Sequence, residues 1–168
     1  TYTYATGSGK SRKDFDLQVF ELTLPRKLPH MIIDSLVESG NGQASTLPIK
    51  FDSSQKIELE GDFSKYFSLY APDTYGITAL TVLAPDAMET LMRFADTCDI
   101  EIISNKIYFY WPEPAQTMKD YQKLFTNVTH ILDDMLEKLK TSDIYATKDQ
   151  ATIHASATAK GARLKQKH

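Results

Sequence analysis

The chain has 168 residues, 42% of them hydrophobic and 11% aromatic, and carries a net charge of −3. That supplies one domain with a real core, and a single cysteine excludes an internal disulfide framework and a cysteine metal site. No run approaches the ~18 apolar residues that a membrane span needs, and no signal peptide is visible.

The charge is unevenly spread. Residues 1–140 hold 14 Lys and Arg against 20 Asp and Glu, whereas residues 141–168 hold five against two. An acidic globule with a basic tail argues against nucleic acid as a partner and suits a tail near an anionic surface.

In chain order, residues 2–5 and 15–24 read as two strands around the polar turn Gly7-Ser8-Gly9-Lys10-Ser11. Phe15, Leu17 and Val19 point to one face and Phe20 and Leu22 to the other, so the second strand is covered on both sides. Pro25 and Pro29 are expected to end regular pairing. Residues 31–37 are apolar, and their periodicity does not separate strand from helix. Residues 39–45 form a Gly-, Asn- and Ser-rich loop, and residues 47–51 add a short strand. Over 56–61 apolar and acidic residues alternate, with Ile57 and Leu59 on one face and Glu58 and Glu60 on the other. Gly61 and Asp62 make a turn, and Phe67, Leu69 and Ala71 continue the apolar row. Residues 77–83 fit a strand or a helical turn equally.

Pro85 suits the first position of a helix, because its missing N–H would be unpaired there anyway. Met88, Leu91, Met92 and Ala95 then recur at helical spacing. Residues 100–111 read as a hairpin turning at Ser104 and Asn105, with Ile107, Phe109 and Trp111 on one face and Tyr108 and Tyr110 on the other. After Pro112 and Pro114, Thr117 and Asp120 resemble a capping box. The helix that follows has Tyr121, Phe125, Val128, Leu132, Met135 and Leu139 at heptad spacing. This seam reads as a helix laid across a sheet, with a helical partner or self-association through residues 117–140 as the other use. Residues 142–168 are poor in packing residues and read as a flexible basic tail, disordered or extended.

The expected fold class is α+β: a mostly antiparallel sheet with two or three helices packed on one side. Residues 1–141 form the domain and 142–168 the disordered C-terminal tail.

Each candidate for chemistry has a plainer explanation. Gly7 to Ser11 invites a phosphate-loop reading, but Tyr4 stands where that motif needs Gly, and a strand follows where it needs a helix. His130, Asp133 and Asp134 share a helix face at metal-ligand spacing, and nothing elsewhere completes a site. Cys98 is flanked by Asp96 and Asp99, the wrong charge for a lowered thiol pKa. Glu58 and Glu60 point outward from one strand. His30, His154 and His168 have no evident partner, and the Asn127-Val128-Thr129 glycosylation triplet falls in mid-helix. No catalytic, cofactor-binding or metal residue is assigned, and no cofactor is expected.

The segments Glu60-Gly61-Asp62-Phe63-Ser64-Lys65-Tyr66-Phe67, Leu69-Tyr70-Ala71-Pro72-Asp73, Leu83-Ala84-Pro85-Asp86-Ala87-Met88 and Ile103-Ser104-Asn105-Lys106-Ile107-Tyr108 occur in an order that resembles the bacterial domain of unknown function 3137 family. The resemblance covers roughly residues 51–111, and Ala84 departs from the Thr that often opens that helix. It implies a protein with membrane-spanning segments and carries over no activity and no catalytic residues.

These readings converge on a non-enzymatic interaction or scaffold module, the soluble cytoplasmic part of a membrane-attached bacterial protein. The alternative is an enzyme or small-ligand-binding domain with a site not recognisable in the sequence. The chain begins at Thr1 without Met, and its last residues are basic. We therefore expect a longer parent with an apolar run of ~20 residues beyond one end, more readily the C-terminal one.

Overall fold

The computed structural model describes residues 2–6, 8–37, 47, 49–59, 61–141, 155–157 and 163–166. The elements are β1 (Tyr2–Thr6), β2 (Lys13–Ser35), β3 (Ile49–Phe51), β4 (Lys56–Ile57), α1 (Phe63–Tyr66), β5 (Phe67–Tyr70), α2 (Gly76–Val82), α3 (Pro85–Phe94), β6 (Asp99–Trp111), α4 (Met118–Thr141), β7 (Ala155–Ala157) and β8 (Arg163–Gln166). Strands β4, β5, β2 and β6 build an antiparallel sheet. The start of β2 also pairs with β1, and β1 with β8; β3 and β7 form a separate antiparallel pair. The expected α+β class and antiparallel sheet are present.

Two long strands organise this sheet. Within β6, the Tyr110 hydroxyl donates to Glu101 Oε2 at 3.1 Å. In a straight strand residues nine apart lie about 30 Å apart, so β6 doubles back on itself. The bend falls at Ser104, whose φ of 57° is the positive value a tight reversal requires. This is the expected turn. Both arms also pair with β2, which runs around the outside of the bend. Its register breaks between Thr23 and Leu28 and again between Leu28 and Met31. Pro25 and Pro29 sit at those breaks and cannot donate to a ladder. The prolines therefore interrupt β2 rather than end it, and residues 31–35, left open between strand and helix, are strand.

The core forms between one sheet face and the helices. Met31 and Ile33 of β2, Leu69 of β5, and Ile100, Ile102, Ile107 and Phe109 of β6 are buried there with Ala79, Val82, Leu91, Val128 and Ile131 of α2–α4. The period-two rows in β5 and β6 are thus core rows, as expected. β4 is shorter than the 56–61 alternation suggests, but Ile57 and Leu59 still pack against the core. Residues 77–82 are helical. The single turn α1 was not foreseen: four residues are too few to show a helical period. Of the stripe on α3, Leu91 and Ala95 are buried while Met88 and Met92 pack at its edge.

Within the C-terminal stretch read as disordered or extended, residues 155–157 and 163–166 are paired strands. The rest of that stretch and the 39–45 loop lie outside the described residues.

Candidate functional site

The chain's most distinctive surface lies where β6 hands over to α4. β6 ends on Trp111, which is 6% exposed, and Pro112 and Pro114 stop the strand. α4 then starts on a complete capping box. Thr117 N donates to Asp120 Oδ2 at 2.8 Å, and Asp120 N donates to Thr117 Oγ1 at 3.2 Å. The Thr117 hydroxyl and the Gln116 N–H also donate to Asp120 Oδ2. The Thr117 hydrogen bonds are the chief reason that the Asp120 carboxyl is held below the usual carboxylate range.

Beyond the cap, α4 presents three surfaces. Val128, Ile131 and Met135 are buried against the core, with Leu124, Leu132 and Leu136 at its margin. The expected seam is therefore corrected. Val128 and Met135 do lie in the core, but Ile131, which the seam omitted, is fully buried. Tyr121 and Phe125, which it included, are 39% and 59% exposed. Met118, one turn before Tyr121, is 72% exposed. The side chain of Leu139 lies outside those described. At 3.6 residues per turn, Met118, Tyr121 and Phe125 share one flank of the helix. Asp120, Lys123 and Asn127 share the opposite flank.

That opposite flank borders a cleft of about 470 Å³. Its lining includes Trp111, Pro112, Pro114 and Leu124, with Glu113, Lys123 and Asn127 as polar neighbours. Asn127 Nδ2 donates to Phe94 O at 3.1 Å, which fixes the amide and ties α4 to the end of α3.

A second polar group sits on the sheet face away from the main core cluster. His30 Nε2 lies 2.8 Å from Glu101 Oε1, and Glu101 also receives the Tyr110 hydroxyl. Tyr108 stacks against Tyr110 at a ring separation of 6.2 Å. Tyr70 stands across Ile32 from Glu101 in register, and burial, followed by the charge of Asp34, pushes its phenol above its ordinary pKa. The sequence reading left His30 without a partner. Its partner is 71 residues away, and only the pairing of β2 with β6 brings the two together.

The other sequence candidates resolve into structure. Lys10 and Ser11 lie in a short helical turn between β1 and β2, which pair as a hairpin through Thr6 and Lys13. His130 stacks on Phe94 at 5.5 Å, and Asp134 accepts the Thr90 hydroxyl, so the supposed ligand pair is engaged in packing α4 on α3. Cys98 is fully buried; burial pushes its thiol pKa well up, and the Asp99 charge adds to that. Asp99 in turn accepts the Ser35 N–H at 2.6 Å and ties the start of β6 to the end of β2. Glu58 is exposed; Glu60, His154 and His168 lie outside the described residues. Among the described residues no three His, Cys, Asp or Glu side chains gather as a cation site, and no helix is long and apolar enough to cross a membrane. Comparison with protein-family models, curated proteins and solved structures finds no match for this chain.

Proposed function

We propose that this chain is a non-enzymatic interaction or scaffold module that docks a helical protein partner, or a second copy of itself, along the outer flank of α4. The observation that carries the reading is the exposed row Met118, Tyr121 and Phe125. Three large apolar side chains at one-turn spacing form the anchor pattern by which helices recognise helices, with aromatic residues and methionine favoured at contact centres. The row continues the half-buried Leu132 along the same flank, so a docked helix would extend the core rather than start a new one. We place the module on the cytoplasmic side of a membrane-attached bacterial protein. The excess of Lys and Arg in residues 141–168 and the resemblance of residues 51–111 to the 3137 family support that placement.

The variant Phe125→Glu tests the docking reading. Its side chain is exposed, so the stability of the isolated chain should change by no more than about 0.5 kcal/mol. The protein carrying it should leave whatever complex it forms in its native cell and elute later on size-exclusion chromatography. An unchanged elution position with an unchanged fold would reject the flank as the docking surface. The membrane placement is tested separately, by whether the protein expressed from its own gene sediments with membranes after lysis.

A small-ligand role is the second reading, and the cleft beside Trp111 is its specific support. The lowered carboxyl there, Asp120, owes its shift to the helix cap. It therefore offers no argument for acid–base chemistry, and the second reading is binding rather than catalysis.

A further inference from the structure

The cleft beside Trp111 has a composition that selects a ligand class. Trp111, Pro112, Pro114 and Leu124 give it an apolar lining. Asp120 also lines it, with its Oδ2 accepting from Gln116 and Thr117 so that its charge serves first the helix start. That leaves Glu113 and Lys123, one charge of each sign, neither of them in an ion pair or hydrogen bond among the described residues. Asn127 donates one Nδ2 hydrogen to Phe94 O, which leaves Oδ1 as an acceptor and the second Nδ2 hydrogen as a donor.

We propose that this cleft binds a free amino acid with an apolar side chain. Such a molecule carries a carboxylate and an ammonium on one carbon beside a hydrophobic group. Its side chain covers Trp111 and the two prolines. Its carboxylate meets the Lys123 ammonium, and its ammonium meets the Glu113 carboxylate and the Asn127 oxygen. Charge-assisted hydrogen bonds of this kind are the stronger ones, and both of the ligand's charges are matched. The size fits: 470 Å³ falls within the range of about 300–1,000 Å³ typical of small-molecule sites. A ligand with one charge leaves a rim group unanswered. A peptide interior has neither charge and gains only the apolar contact.

Trp111 is the only tryptophan in the chain, so its fluorescence reports on this cleft. The experiment titrates the whole chain with L-leucine, with 3-methylbutylamine, which lacks the carboxylate, with 4-methylpentanoate, which lacks the ammonium, and with N-acetyl-L-leucine amide, which lacks both charges. We expect a saturable change in Trp111 emission with L-leucine, roughly tenfold weaker binding of the two singly charged analogues, the worth of one net hydrogen bond to a charged group, and roughly a hundredfold weaker binding of the uncharged amide, which loses both. Lys123→Gln should lower L-leucine to the level of 3-methylbutylamine, and Glu113→Gln should lower it to that of 4-methylpentanoate. Both residues are exposed, and an unchanged ligand-free emission maximum in each variant shows that the cleft is intact. The proposal is overturned by no saturable response up to roughly 10 mM, ten times the ~1 mM that marks weak binding. It is overturned equally by the uncharged amide binding as well as L-leucine, or by both variants binding as the parent does.

Discussion

Thr117 and Asp120 decide where the longest helix begins. Replacing a cap hydroxyl leaves a helix N–H unpaired, and Thr117→Ala should cost about 1 kcal/mol in denaturant unfolding. The pH dependence follows from the lowered Asp120 pKa. A carboxyl whose pKa falls on folding contributes fully above the ordinary carboxylate range and loses that contribution as pH drops through its folded value. The stability difference between the parent chain and Asp120→Asn should therefore hold at neutral pH and close on the acid side, below about pH 4, the unperturbed carboxylate pKa. A second residue-scale contrast separates core from flank. Ile131→Ala empties a fully buried position and should cost about 2–5 kcal/mol, whereas Leu132→Ala, at the margin, should cost roughly half as much. Equal losses would mean that the seam inferred from periodicity alone was the right one. Periodicity marks which positions are apolar; it does not say which of them the rest of the chain covers. For that reason Ile131 was missed, and Tyr121 and Phe125 were assigned to the core.

At the scale of elements, the fold rests on β2 wrapping around the doubled-back β6. The turn itself was legible, because Ser104 and Asn105 interrupt two apolar rows of opposite parity. The wrap was not. Pro25 and Pro29 read as strand terminators, since a sequence shows the lost donors but not the bulges that absorb them. The His30–Glu101–Tyr110 group was hidden for the same reason, as it exists only once two strands far apart in sequence are paired. Ser104 gives a test. A non-glycine residue at positive φ costs about 1–2 kcal/mol, and more when β-branched. Ser104 already bears that cost, so Ser104→Gly should be neutral or stabilise by up to that much, while Ser104→Val should destabilise by the β-branched excess alone in thermal unfolding. Two variants of equal stability would show that the turn does not strain this residue.

For the whole molecule, the antiparallel sheet with helices against its core face was readable because β5 and β6 alternate cleanly and α3 and α4 carry clear start signals. Function was less readable, because, of the residues that look chemical in the sequence, Cys98, His130 and Asp134 have structural duties and Lys10 is an exposed residue of a turn. Ile77 and Leu80 of α2 are also exposed, but the row of three large apolar side chains left outside the core is the Met118–Tyr121–Phe125 flank, and the central claim is that this flank serves a partner. The most direct measurement is site-specific photo-crosslinking in the native cell, with the photoreactive residue placed at position 125 of the protein and, as a control, at the exposed Asp73. The account predicts a discrete crosslinked product from position 125, none from position 73, and loss of the product when Met118→Lys is added. No product from position 125, or the same products from both positions, would contradict it.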